Sequence, residues 1–318
     1  MIYPLKTVPV FKQYLWGGDT LKTKFKKDIP GSFAAESWEV SCHDDGLCTV
    51  ANGIFKGKTL KEVIFSDTKN MLGKETDIFP LLVKFLDAKD KLSVQVHPDN
   101  AFAAKHENGE LGKTEMWYVI DAKPGAVLVY GLKEGTDSKT FCESAQNGTL
   151  EQHLNFVPAK KGDAFFIPSG TVHAICDGLL IAEIQQSSNT TYRVYDYNRT
   201  DKDGNKRELH IEKAVMATDY SASPLGQACY DVEDVPGGRM KTLAKCEYFT
   251  VIKYDIETEV LFSKPDTRFE MLVCTEGKGT LVYDGGTEEI KAGDSFFIPA
   301  TMKNYSINGF CEILRSFE

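Results

Sequence analysis

KGDAFFIPSGTVHAI, residues 161–175, reads as a tight turn, a short apolar strand, a proline stop and a second strand that opens on His173. Gly162-Asp163 supplies the turn and AFFI the strand, and Pro168 ends the pairing because it has no N–H to give to a ladder. The same grammar returns at 292–307, AGDSFFIPATMKNYSI, with Gly162 aligned to Gly293, Pro168 to Pro299 and His173 to Asn304. Upstream, EMWYVIDAKPGAVLVY (115–130) returns as EMLVCTEGKGTLVYD (270–284), which pairs Glu115 with Glu270. Two blocks repeated in the same order mark an internal duplication. The first copy is longer between its blocks, and a candidate helix at 138–155 accounts for most of the difference. The last histidine of the chain is His210, so the second copy has no imidazole to offer a metal.

Outside these blocks the chain is mostly short strand patterns separated by Gly, Pro, Asp and Asn. Helical patterns are confined to 59–73, 99–109, 138–155 and 209–217, with Asp99 and Ser138 as candidate N-caps for two of them. The first copy carries Gly162, Pro168, Gly170 and His173 in the spacing G-x5-P-x-G-x2-H, which matches the second motif of the cupins at every fixed position. The expected fold is mainly β: two cupin-type jelly-roll β-barrels with a few short helices. The expected division places a metal-binding domain at 1–235 and a cupin-like domain without metal ligands at 236–318.

The bulk composition narrows the function classes. The 318 residues are 42% hydrophobic and 26% charged, close to the soluble globular average. The net charge of -9 leaves no basic face for nucleic acid, although a pocket needs only a few cations to hold a small phosphorylated ligand. No run reaches the ~20 apolar residues of a membrane span, and Pro4 and Pro9 interrupt the start where a signal peptide would need a continuous apolar core. None of the 8 cysteines forms a C-x-x-C pair, so buried free thiols and a cytoplasmic location are expected.

Three further segments aim polar side chains at one place. In SVQVHPDN (93–100), Gln95 and His97 are two apart and share one face of a strand. Lys113 and Glu115 of GKTEMWYV do the same, as do Glu183 and Gln185 of AEIQQSSNTTYRVYDYNR. Gln95, His97 and Glu115 with His173 offer two imidazoles, a carboxylate and a neutral amide oxygen, which suits a borderline divalent metal such as zinc. Gln95 stands where a conventional cupin has the first histidine of its His-x-His, and this favours a Lewis acid over redox iron and over a dioxygenase. Arg193 and Arg199 follow in an aromatic surround, and Arg193 has the chemistry to clamp a phosphate or a developing oxyanion. His43, His106, His153 and His210 keep structural readings, and in DKDGN (201–205) Asp203-Gly204 reads as a hairpin turn, because a calcium loop would need a bidentate Glu that is missing.

QVHPDN, GKTEMWYV, IPSGTVHAI and SSNTTYRVYDYNR, together with YLWGGD and AESWEVS near the N-terminus, closely resemble the type I phosphomannose isomerases in their short bacterial form. The resemblance runs from about residue 3 to the C-terminus. It implies a mannose-6-phosphate isomerase holding one Zn2+ per chain on Gln95, His97, Glu115 and His173. It further implies an essential arginine at Arg193, active-site roles for Lys113 and Glu183, and a place for Trp16 at the substrate. The implied reaction is an aldose–ketose isomerisation through a cis-enediol, with Glu183 and a zinc-bound hydroxide as rival bases. Glu183 would need its pKa raised by its neighbours to work efficiently near neutrality. The stretch between Glu115 and His173 is too short for the helical domain that long family members insert there, and Asn189 stands where some members carry an aspartate. The competing expectation is a non-catalytic sugar-binding cupin whose metal only organises a ligand site.

Overall fold

The structure is a computed structural model, and it describes residues 2–200, 203–221, 231–264 and 267–318. Three antiparallel sheets make a mainly β fold. The central six-stranded sheet runs in the order Ala164–Ile167, Glu115–Ala122, Leu179–Gln186, Leu81–Ala88, Glu36–Val40, Val10–Lys12. Its two middle strands are buried at every position, so successive side chains must serve two different environments. On one face Val83, Phe85, Met116, Tyr118, Ala182 and Ile184 pack against Phe269, Met271, Phe297 and Leu314 of the C-terminal half. On the other, Leu86, Trp117, Val119 and Ile181 pack against Leu128, Tyr130 and Ile175 of a five-stranded sheet. That second sheet runs Tyr192–Tyr195, Val94–Val96, His173–Ile175, Val127–Leu132, Leu154–Pro158. Its outer face is covered by the helices Ser138–Asn147 and Ile211–Ala217 through Phe141, Ala145 and Ala214.

Among the described residues the ladders form open sheets and no closed barrel. The reason is local. Val94–Val96 and His173–Ile175 are three-residue strands that pair with one another and with strands of their own sheet, so no ladder crosses to the central sheet. The two sheets face each other as a sandwich instead.

The duplication is exact to the hydrogen bond in its turns. Gly162 donates to Val119 at 2.9 Å and Val119 to Asp163 at 2.9 Å; Gly293 donates to Cys274 at 2.8 Å and Cys274 to Asp294 at 3.0 Å. Each aspartate also accepts the N–H three residues back, from Lys160 at 2.9 Å and from Lys291 at 3.0 Å. Gly162 and Gly293 both adopt positive φ, +90° and +92°, which a side chain would strain. Glu115 lies opposite Ile167 as Glu270 lies opposite Ile298. The second copy belongs to a ten-stranded sheet, which the N-terminal strand Leu5–Val8 joins by pairing with Ser295–Ile298. The boundary expected at residue 235 falls in the turn of the hairpin Val232–Val235/Gly238–Lys245.

The helices are shorter than their sequence patterns. The 59–73 pattern is two helices, Leu60–Phe65 with a Thr59/Glu62 capping box and Thr68–Leu72, because Asp67 captures the Asn70 N–H and starts a new helix. Asp99 caps Asn100–His106 as expected. Ser138 does not cap the next helix; it is the first helical residue, and Asp137 accepts the Thr140 N–H in its place. That helix stops at Gly148, where φ is +72°. Asp203-Gly204 is a turn with no strand pair around it among the described residues, and the first two residues of DKDGN lie outside them. Seven cysteines are free, five of them buried; Cys229 lies outside the described residues. No helix among the described residues is long and apolar enough to cross a membrane.

In the second copy Glu270 is fully buried, its carboxylate held by the Arg315 guanidinium and by the Tyr305 hydroxyl at 2.6 Å. Arg268 Nε lies farther off, 3.7 Å from the same carboxylate, so loss of Arg315 leaves the buried Glu270 charge poorly compensated. Arg315→Met should therefore lower the unfolding free energy in urea by about 3–5 kcal/mol, and the double variant with Glu270→Leu should recover most of that loss.

Candidate metal centre and substrate cavity

The site is assembled where the two facing sheets of the first half meet. Alternation along Glu115–Ala122, Leu179–Gln186 and Leu81–Ala88 turns Glu115, Trp117, Glu183, Gln185, Lys84 and Leu86 inward, away from the core shared with the C-terminal half. The opposite sheet contributes Gln95, His173 and Arg193, which are direct cross-strand neighbours: His173 pairs with Gln95 and Arg193 pairs with Gln95. His97 follows immediately after the strand Val94–Val96, where its carbonyl accepts the Gly170 N–H at 2.8 Å. That bond ties the two motif segments together.

Both imidazoles are held by one ring nitrogen. His97 Nδ1 lies 2.9 Å from the Thr190 carbonyl oxygen and His173 Nδ1 lies 2.8 Å from that of Thr171, so each Nδ1–H donates and each Nε2 keeps its lone pair. The two Nε2 atoms approach Glu115, His97 to Oε2 at 3.5 Å and His173 to Oε1 at 3.4 Å. The three candidate ligand atoms lie within 4.8 Å of one another, and the three residues are fully buried. Among the described residues, His97 Nε2 and Glu115 Oε1 have no hydrogen-bond partner, and Glu115 Oε2 has the Lys113 ammonium 3.2 Å away. Gln95 lies beside the cluster, its side-chain Nε2 3.4 Å from His173 Nε2.

The electrostatics suit a cation. Burial, joined by the Lys113 charge, holds the His97 imidazole well below its ordinary pKa; burial likewise brings His173 down to about 4, so both rings are neutral near pH 7. Burial, and then the Glu183 charge, push the Glu115 carboxyl up, against the pull of Lys113 Nζ 3.2 Å away. A carboxylate made reluctant to ionise by its surroundings, facing two neutral imidazoles, is a donor set that a divalent ion satisfies. The residues present fit a metal.

A cavity of about 270 Å³ opens beside this centre, lined among others by Trp16, Gln95, Lys113, Glu183 and Arg193. Every candidate site residue read from the sequence therefore comes to one place. Arg199 is the exception among the arginines considered. It lies outside this cavity, its guanidinium 2.6 Å from Asp196 and 3.3 Å from Asp90. Asn189 reaches the cavity wall and donates to Asp45 at 2.7 Å. The Glu183 carboxyl is not raised in the way an efficient base near neutrality would need. Burial works to raise it, but Lys113, Lys84 and the Trp117 indole N–H at 2.9 Å prevail and hold it below its ordinary value.

Sequence reasoning missed Lys84, Glu36, Tyr14 and Arg207, all of which line the cavity. Lys84 is buried with its ammonium 3.6 Å from both Glu36 and Glu183 and 4.7 Å from the centre of the Trp38 ring. Its only signal was a lysine inside LLVKFLDA, a charge in an otherwise apolar strand.

Together the sheets, the buried His-Glu-His cluster and the adjoining cationic cavity form an enzyme-like site with a cluster that could hold a metal. Residues 4–123 match the catalytic domain of phosphomannose isomerase type I, and residues 239–318 match the mannose-6-phosphate isomerase cupin domain. The mannose-6-phosphate isomerase ManA of Bacillus subtilis is 38% identical over 98% of this chain and 98% of its own length. The mannose-6-phosphate isomerase of Streptococcus mutans is 38% identical over 99% and 98%. The crystal structure of a Bacillus subtilis mannose 6-phosphate isomerase superposes with a TM-score of 0.92 at 41% identity, covering 98% of this chain and 99% of that one. The chain belongs to the type I phosphomannose isomerase family.

Removing a ligand should cost more metal affinity than the roughly 10- to 100-fold that loss of a ligand's supporting hydrogen bond costs. His97→Ala and His173→Ala should each retain far less divalent metal per chain than the wild type after dialysis, measured by elemental analysis, whereas His106→Ala should retain as much as the wild type.

Proposed function

We propose that this chain interconverts mannose 6-phosphate and fructose 6-phosphate, with one zinc ion per chain held by Gln95, His97, Glu115 and His173. The observation that carries the reading is the pair of neutral, Nδ1-anchored imidazoles aimed at a buried carboxylate, beside a cavity edged by cations. When bound, the ion supplies Lewis-acid stabilisation of negative charge on the sugar's O1 and O2. Lys113, reaching both Glu115 and the cavity, donates to a sugar oxygen and helps stabilise charge as the enediol forms. Glu183 carries the proton between C2 and C1 through a cis-enediol. Lys84 and the Trp117 indole fix its orientation and keep it ionised, which sacrifices basicity but leaves the proton-accepting form dominant at neutral pH. Trp16 walls the cavity and limits water, and Arg193 binds the anionic end of the substrate.

Two structural refinements go with this reading. The sandwich and the C-terminal sheet are both interpreted as opened jelly rolls of the cupin type, divided near residue 235. The second serves as scaffold, because its Glu270 is already satisfied by Arg315 and Tyr305. The seven free thiols fit a cytoplasmic location.

A coupled assay for fructose 6-phosphate on metal-stripped protein should show turnover only after zinc is restored. Tight zinc binding without turnover would replace the isomerase by a sugar-binding cupin. Glu183→Gln should lower kcat by ~100-fold or more; near-normal turnover with an intact isotope effect from deuterium at C2 would remove Glu183 as the base.

A further inference from the structure

A second arginine reaches the cavity from a segment that belongs to none of the sheets. Arg207 lies between the strand Tyr192–Tyr195 and the helix Ile211–Ala217, yet lines the same wall as Arg193. Its guanidinium is clamped: Nε donates to Asp196 Oδ2 at 2.8 Å and Nη2 to Asp196 Oδ1 at 2.5 Å. This fork uses one edge of the planar group and leaves the other N–H donors for the cavity. Asp196 is itself buried, and is also held by Arg199 Nη2 at 2.6 Å. The backbone immediately after it takes two consecutive left-handed residues that are not glycine, Tyr197 at φ 54° and Asn198 at φ 55°. Such a pair is costly, and persists only where the surroundings over-determine it.

Arg193 enters from the neighbouring strand, with Nη1 donating to the Glu208 carbonyl at 2.8 Å. Burial and then the Arg207 charge act to lower its pKa, so the two guanidinium groups feel one another. Both charges also act on the Tyr14 hydroxyl in the same wall, which burial raises to about 12 and which therefore stays a neutral donor. The Asp196 carboxylate is divided between Arg207 and Arg199, which leaves the Arg193 and Arg207 charges facing the cavity incompletely neutralised. An anion with more than one charged oxygen would relieve that repulsion and use the free donors.

We propose that Arg207, positioned by Asp196, is a second binding residue for the phosphate of the substrate, and that this pair sets the cavity's preference for phosphorylated over neutral sugars. The inference rests on the isomerase reading above, and the experiment separates the two.

The zinc-loaded wild type, Arg207→Gln, Arg207→Lys, Asp196→Asn and Asp196→Glu are compared for KM and kcat with mannose 6-phosphate and for competitive inhibition by inorganic phosphate. Loss of a charge-assisted contact in Arg207→Gln should raise KM by ~10-fold or more, with a similar rise in the phosphate inhibition constant and a much smaller change in kcat. Arg207→Lys keeps the charge but not the fork, and should fall between wild type and Arg207→Gln. Asp196→Asn should raise both constants, and Asp196→Glu should restore part of the loss. If Arg207→Gln does not fold, as judged by its melting temperature, Arg207→Lys carries the comparison. Constants within about twofold of wild type in a folded Arg207 variant, with wild type active, would overturn the inference and leave the isomerase reading intact. An inactive, zinc-loaded wild type would overturn both.

Discussion

The register of one sheet decides both the core and the chemistry of this protein. The central sheet is buried on both faces, so neighbouring residues of a strand enter different interiors. Met116, Tyr118, Ala182 and Ile184 pack against the C-terminal half, while Glu115, Trp117, Glu183 and Gln185 turn toward the site. A one-residue slip would send carboxylates into an apolar core and tyrosine and methionine into the cavity. The bulge at Leu180/Ile181 adjusts the pairing of Leu179–Gln186 with Glu115–Ala122 before it reaches Glu183. Hydrophobic packing on one face thereby places ionic groups on the other.

Burial of so many charges requires that they answer one another. Lys84 lies between Glu36 and Glu183, and Lys113 lies against Glu115. The result is a connected set in which ammonium groups hold Glu183 low while burial holds Glu115 high. The second copy shows another resolution of the same problem. At the strand position equivalent to Glu115, Glu270 meets an arginine and a tyrosine where the first copy offers two imidazoles. In the second copy a guanidinium carried by the chain itself answers the buried carboxylate.

The parts of the site that could be read in the sequence were those encoded by local pattern. Gln95/His97 and Lys113/Glu115 are two apart, and on strands that spacing alone sets a common face. The turn before Phe165 is legible because Gly162 and Asp163 each have a specific backbone task, repeated at Gly293 and Asp294. Lys84 lies in no motif, and although Tyr14 and Glu36 fall within YLWGGD and AESWEVS, their place on the cavity wall comes from contacts between segments distant in sequence. Arg207 was hidden for another reason: it lies in an irregular segment whose path depends on the left-handed turn at Tyr197 and Asn198. The raised carboxyl that an efficient Glu183 base would need is not what its surroundings produce, because its neighbours are two lysines and an indole N–H, none of them adjacent to it in the chain.

By itself the amino-acid order determined the duplication, the mainly β class, the loss of metal ligands in the second copy and the identity of the metal-ligand candidates. These follow from spacing, turn chemistry and residue type, which act over a few residues. Only the tertiary structure decided that the ladders stay open, that the N-terminal strand completes the C-terminal sheet, and which charges face one another across the cavity. Pairing between remote strands and the screening of charge by burial depend on what is brought alongside, and no local pattern contains that.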